Sequence, residues 1–127
     1  MQFSLKRSRF MSRHDPLVTL KQLLDFVVEA RSMSERRTRV ELGRDMMFTR
    51  AAERLVTVMG EAAQRLPVEL RASEPRVAWN DIISTRNRVM HGYDVVDYDI
   101  LWNILTRELP SFEARPREMI ARFEQQG

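Results

Sequence analysis

The sequence contains no cysteine, which excludes disulfide-stabilised folds, zinc sites built on cysteine and thiol nucleophiles. Four glycines and five prolines in 127 residues are too few for a turn-rich β-sandwich. No apolar run approaches the roughly 18–20 residues of a membrane-spanning helix, so we expect a cytoplasmic protein without a membrane segment. Histidine is rare too, with two in the chain, and no pattern of metal ligands is present. We therefore expect neither a metal nor a cofactor.

The net charge of the chain is also small. The formal net charge is +3, and residues 1–10 supply it through Lys6, Arg7 and Arg9. The remaining chain is neutral, so strong non-specific binding to nucleic acid is not implied. The basic residues are nearly all arginine, whose planar fork binds phosphate well, although the base composition of a genome can also favour arginine.

The chain divides into a short extension and one domain. Residues 1–10 lack the apolar core and the small-residue cleavage site of a secretory signal. Met11 begins a second plausible start that leads into a helical pattern. We expect residues 1–10 to contribute little to function and residues 11–127 to form a single helical domain.

Apolar residues recur at steps of three and four throughout, which predicts amphipathic helices. Four helices are predicted, over residues 16–30, about 38–66, 79–91, and from 98 towards the C-terminus, with residues 67–78 as a loop. Pro110 should kink or restart the last helix, so a fifth C-terminal helix is an alternative. No alternating apolar pattern bounded by turns occurs, so no sheet is expected. The sequence thus predicts an all-α fold, an up-and-down four-helix bundle.

The candidate site is the segment 86–93, which reads RNRVMHGY. In the last turn of the third helix, His91 would meet the negative end of the helix dipole, which favours a protonated imidazole. A histidine can act as general base and general acid, and Arg86 can bind a phosphate. Asn87 can donate a hydrogen bond to an oxygen that becomes more negative. These groups suit RNA cleavage without a metal, in which a 2′-hydroxyl attacks the neighbouring phosphate.

On a regular helix, Arg86 and His91 would not share a face. Arg86 and His91 are five positions apart, so they would point about 140° away from each other on a helix. They can converge if the helix unwinds near His91 or Gly92, or if two copies face each other across a two-fold axis. The alternative is that His91 caps or packs the helix end while the arginines face solvent.

Two further residues are candidates for a supporting role, Arg88 and Glu61. Glu61 lies in the apolar stretch MGEAA and is either a half-buried partner of an arginine or an exposed side chain. A local acidic group follows the candidate segment. This group consists of Asp94, Asp97 and Asp99. It is a weak candidate for a metal site, because Asp97 is also a good N-cap for the fourth helix.

The string RNRVMHGY resembles the R-x4-H-x-Y motif of the HepT branch of the HEPN superfamily. Other segments are similar to that branch in the same order, namely VMGEAA at 58–63, WNDI at 79–82, and DYDILW at 97–102 followed by Leu109 and Pro110. The resemblance covers about residues 15–123, and residues 1–10 lie outside it.

The resemblance implies a HEPN-like homodimer that acts as a metal-independent endoribonuclease on RNA, either tRNA or mRNA. Arg86 and His91 would be the catalytic pair, with Asn87 assisting. It also implies a type VII toxin–antitoxin system, in which an MntA-like nucleotidyltransferase antitoxin transfers AMP to the tyrosine of the motif. That tyrosine is Tyr93 by position. A bulky anionic group two residues from His91 would block the cleft and repel an RNA phosphate.

Two other hypotheses remain. The chain could be a non-catalytic subunit that holds nucleotide or substrate for a minimal nucleotidyltransferase, with Arg86 and His91 only binding phosphate. That hypothesis predicts partner binding without RNA cleavage or toxicity. A purely structural helical protein would need Arg86, His91 and Tyr93 to be scattered in the fold.

Overall fold

The computed structural model describes residues 15–92 and 95–126. Two long helices, α1 (Pro16–Ser34) and α2 (Met46–Arg65), form its centre. Each begins at an aspartate: the Asp15 carboxylate accepts a hydrogen bond from the backbone N–H of Leu17 at 2.9 Å, and the Asp45 carboxylate caps α2. These caps fix both starting points, and α2 ends just before Pro67, as predicted.

Shorter elements complete the fold. In chain order they are a 3₁₀ helix (Arg39–Glu41), α3 (Val68–Ala72), α4 (Trp79–Ile83), α5 (Thr85–Val89), β1 (Met90–His91), β2 (Val95–Val96), α6 (Tyr98–Asn103), a π-helical segment (Ile104–Glu108), α7 (Leu109–Phe112) and α8 (Ala114–Gln126). The all-α fold predicted from the sequence is confirmed.

The helices surround one hydrophobic core. Helix α1 packs against α2 and α8, and α4 and α5 pack along another side of α2. The core contains many aliphatic side chains that are almost fully buried, among them Leu20, Leu23, Val27, Val56, Leu101, Leu105 and Met119. Burial of these side chains is the main stabilising contribution to the bundle.

The predicted second helix is wrong at its N-terminal end. The 3₁₀ helix comes first, and Gly43 then adopts a φ of 89°, which interrupts the helical backbone before α2. A Cβ atom at Gly43 would lie 2.7 Å from the Tyr98 ring, so glycine also permits this turn to approach α6. The predicted loop over residues 67–78 is partly helical, because it contains α3.

The predicted third helix is divided and shorter than expected. The hydroxyl of Ser84 donates to the carbonyl of Asn80 at 2.6 Å, and the hydroxyl of Thr85 donates to the carbonyls of Asp81 and Ile82. Such side-chain bonds compete with the regular backbone pattern, and α4 and α5 meet at this point. The expectation of no sheet is wrong in a small way, because β1 and β2 pair in an antiparallel ladder.

The last part of the chain remains helical around Pro110. The π-helical segment precedes this proline, and the wider turn accommodates its missing N–H donor and its ring. Helix α8 then follows as a separate C-terminal helix. Within the two described ranges, no helix combines the length and the apolar character that crossing a bilayer requires.

Candidate active site

His91 lies outside the helix that carries Arg86. Helix α5 ends at Val89, and the carbonyl of Val89 accepts a hydrogen bond from the backbone N–H of Asp97 at 2.6 Å. His91 therefore sits on β1, where it is paired with Val95. The expectation that His91 lies in the last turn of a helix, where the helix dipole would act on it, is therefore wrong. One of the two conditions under which Arg86 and His91 could converge is therefore met, since the helix unwinds before His91.

The short hairpin turns the imidazole towards solvent. Successive residues on a strand point to opposite faces, and Met90 packs against the core while the His91 side chain is 59% exposed. Gly92 then adopts a φ of 65° and turns the chain, in open space. The imidazole is therefore accessible to a large substrate such as a polynucleotide.

Among the residues that the structure describes, Asp97 places its carboxylate next to the imidazole of His91. Its Oδ2 atom lies 3.5 Å from Nε2 of His91, and its Oδ1 atom accepts a hydrogen bond from the backbone N–H of Ile100 at 3.0 Å. The sequence indicated the N-cap but not the contact with His91, because the contact depends on a hairpin that the helical pattern did not predict.

Arg86 and Asn87 are both exposed on α5. In the part of the chain that the structure describes, the Arg86 guanidinium forms no hydrogen bond or ion pair. Arginine is always charged at physiological pH, so this group is available to an anionic ligand.

Arg88, by contrast, is engaged by Glu108. Its two terminal nitrogens donate to the two carboxylate oxygens of Glu108 at 2.9 and 2.6 Å. These hydrogen bonds raise the pKa of Arg88 above its ordinary value, although partial burial acts in the opposite direction. The pair joins α5 to the π-helical segment, so any supporting role of Arg88 acts through this connection.

Glu61 is exposed and forms no ion pair with the residues that the structure describes. The interpretation of Glu61 as a half-buried partner of an arginine is therefore wrong. Its neighbour Gly60 has the structural role in this stretch. A Cβ atom there would lie 2.9 Å from the carbonyl oxygen of Ile82, so glycine lets α4 approach α2 closely and sets the position of α5.

An open cleft of about 460 Å³ lies beside the hairpin. Its lining includes Asp97 and Asn103, together with the Arg88 and Asp99 side chains. Asp99 is bound by Nε of Arg39 at 2.6 Å, so its charge is compensated. A second cleft, of about 450 Å³, lies between residues 76–82 and α7, and Glu108 forms part of its wall.

The acidic residues near the site do not assemble into a metal site within residues 15–92 and 95–126. No group of three acidic or histidine side chains in those ranges could hold an ion. Asp97 and Asp99 face His91 and Arg39 instead. Asp94 lies outside the described residues. Tyr93, the predicted site of AMP transfer, lies outside them too.

Comparison with known proteins gives a consistent family. The model of the family described as "Ribonuclease HepT-like" matches residues 23–119. "Putative RNase TTE0752" of Caldanaerobacter subterraneus subsp. tengcongensis is 34% identical over 77 residues, which are 61% of this chain and 69% of that protein. "Probable ribonuclease HepT" of Thermococcus cleftensis is 24% identical over 75% of this chain and 90% of its own length. No solved structure matches the chain.

Proposed function

The chain belongs to the ribonuclease HepT-like family, and from this premise we propose that it is an endoribonuclease toxin that uses Arg86, His91 and Asn87 to cleave RNA. The observation that carries the proposal is the end of α5 at Val89. It leaves Arg86 exposed and without an acidic partner in the described residues, and it places His91 on an open hairpin two residues beyond the helix.

The proposed reaction is a transesterification within the RNA. Neutral His91 accepts the proton of a ribose 2′-hydroxyl, and the 2′-oxygen attacks the adjacent phosphorus. The bond from phosphorus to the 5′-oxygen breaks, and the imidazolium returns its proton to that leaving oxygen. The products are a 2′,3′-cyclic phosphate and a 5′-hydroxyl. Arg86 and Asn87 stabilise the negative charge that develops on the phosphate oxygens, so the reaction requires no metal.

We place the site between two copies of the chain. In a homodimer whose α5 helices face each other across a two-fold axis, Arg86 of one subunit approaches His91 of its mate. Exposure of both side chains supports this arrangement, as does Val95, an apolar residue paired with His91 that is 58% exposed. An exposed apolar side chain beside a polar site is suited to burial by a partner.

We assign the chain to a type VII toxin–antitoxin system with an MntA-like nucleotidyltransferase as antitoxin. In the proposed modification, the phenolic oxygen of Tyr93 attacks the α-phosphorus of a nucleoside triphosphate, pyrophosphate leaves, and a base of the antitoxin takes the phenolic proton. The AMP group would occupy space and carry negative charge two residues from His91, and it would therefore exclude an RNA phosphate.

The first experiment tests the cleavage itself. The full chain, purified without its genomic neighbour, is incubated with total RNA in EDTA, and the new ends are mapped. We expect ends with a 2′,3′-cyclic phosphate from the wild-type chain and none from His91→Ala. RNA binding without cleavage by the wild-type chain, and absence of toxicity on expression, would instead support a non-catalytic subunit.

The second experiment tests the antitoxin. The chain is co-expressed with the neighbouring nucleotidyltransferase, and its intact mass is measured. We expect a mass increase of one or more AMP units, with loss of RNA cleavage, and no increase in Tyr93→Phe. An unmodified chain that is nevertheless inhibited by the partner would contradict the proposed modification.

A further inference from the structure

We propose that Asp97 is a positioning residue for His91. It holds the neutral imidazole in the tautomer that carries the proton on Nε2, which leaves the lone pair of Nδ1 to accept the 2′-hydroxyl proton. This inference rests on the proposed function, because it specifies which nitrogen of His91 acts as the base.

The position of Asp97 is fixed at two points. Its backbone N–H donates to the carbonyl of Val89 at 2.6 Å, which closes the hairpin that carries His91. Its Oδ1 atom accepts the N-terminal hydrogen bond of α6 from Ile100 at 3.0 Å. The other oxygen of this carboxylate, Oδ2, lies 3.5 Å from Nε2 of His91.

The chemistry of the two groups determines the tautomer. An ionised carboxylate only accepts hydrogen bonds, so the ring nitrogen that faces it is stabilised when it carries a proton. Nδ1 of His91 makes no hydrogen bond with any residue in the described ranges. The contact of 3.5 Å is long for a hydrogen bond, as the hydrogen bonds of active-site groups often are in the absence of substrate.

Among the described residues, two charged side chains near Asp97 already have partners of opposite charge. Asp99 is bound by Arg39, and Arg88 is neutralised by Glu108. Capping α6 requires one oxygen only, and asparagine serves as an N-cap as well as aspartate does. The second oxygen of Asp97 is therefore surplus to the cap, and its effect on His91 can be separated from the cap by substitution.

The test is Asp97→Asn in a His14→Ala background, which leaves one imidazole in the full chain. The side-chain carbonyl of the asparagine keeps the cap, while its amide group donates to Nε2 and favours the opposite tautomer. Nitrogen NMR in alkaline buffer, where the neutral ring is observed, should show the proton on Nε2 before the substitution and on Nδ1 after it. The matched control is Asp45→Asn, which alters the cap of α2 and should leave the tautomer unchanged.

Cleavage kinetics provide the second measurement. We expect Asp97→Asn to lower kcat at least about tenfold with little change in KM, because the base rather than RNA binding is affected. A ring with the proton on Nδ1 in the unsubstituted protein, or full kcat in a folded Asp97→Asn variant, would overturn the inference. If the unsubstituted chain cleaves no RNA, the proposed function fails instead, and the NMR result still decides the tautomer separately.

Discussion

Arg88 and Glu108 are joined through both terminal nitrogens and both carboxylate oxygens, and this pair fixes α5 to the π-helical segment. Two residues earlier on the same helix, Arg86 is exposed and has no acidic partner in the described residues. The two arginines are close in sequence but have different roles. One stabilises the fold, and we assign the other to the RNA phosphate.

The first prediction concerns Arg86. Arg86→Ala should lower kcat/KM for RNA cleavage by about 10²–10³-fold, because the charge that stabilises the transition state is removed. The control is Arg65→Ala at the C-terminal end of α2, where the guanidinium donates an exposed hydrogen bond to the side chain of Gln22 at 3.3 Å. Equal losses in both variants would show that the effect is one of general positive charge.

The second prediction concerns the connection between α5 and the π-helical segment. Glu108→Gln should lower the free energy of unfolding by about 1–2 kcal/mol, because two charge-assisted hydrogen bonds to Arg88 are weakened. Urea denaturation measures this value. Glu53→Gln breaks a more exposed and longer pair with Arg50, at 3.4 Å, and should change stability by less than about 0.5 kcal/mol. Similar values for the two variants would contradict the assigned role.

The third prediction concerns the close approach of α2 and α4. Gly60→Ala places a methyl group against the backbone carbonyl of Ile82, which cannot move without shifting α4. We expect a loss of about 1–3 kcal/mol in the free energy of unfolding. Gly92→Asn is the control, since asparagine tolerates a positive φ and a Cβ there meets nothing within 4 Å. Unchanged stability in Gly60→Ala would show that α4 is free to move.

The fourth prediction concerns acid stability. Hydrogen bonds from Arg37 and Arg31 lower the pKa values of Asp45 and Glu113 below their ordinary values of 3.8 and 4.5. As the pH falls, the unfolded chain therefore takes up protons before the folded chain does. The stabilisation from these two carboxylates is complete at a pH above their ordinary pKa values. It is lost as the pH falls through their lower pKa values in the folded chain.

Unfolding measured from pH 6 to pH 2 tests this dependence. The double variant Asp45→Asn, Glu113→Gln should lose less stability in acid than the wild-type chain does. Glu61→Gln removes an exposed carboxylate without an ion pair in the described residues and should follow the wild-type curve. A double variant with the wild-type slope would show that these two carboxylates do not determine acid stability.

The long helices could be predicted from the sequence because their apolar faces are local signals, although the Asp45 cap that starts α2 was not recognised. The pairing of β1 with β2 could not be predicted, since a ladder of two residues on each strand leaves no alternating pattern. The break at Ser84 depends on hydroxyl bonds to the preceding turn, and the turn at Gly43 depends on its contact with Tyr98. Each of these differences arises from competition between local helix formation and a specific contact.

The candidate residues were identified by their chemistry, but their environments were not. Placing His91 in a helix led to the dipole argument, whereas the structure places Asp97 beside it. The R-x4-H spacing singles out Arg86, but it does not show that Arg86 is exposed while Arg88 is bound by Glu108. Partners twenty residues apart in sequence become apparent only once the helices are packed.

The most direct test of the central claim mixes two inactive proteins, Arg86→Ala and His91→Ala. If each site takes Arg86 from one subunit and His91 from the other, exchange of subunits restores one complete site in every mixed dimer. An equal mixture should then recover about a quarter of wild-type RNA cleavage. Mixed dimers that form, as shown by native mass spectrometry, but cleave no RNA would contradict the account.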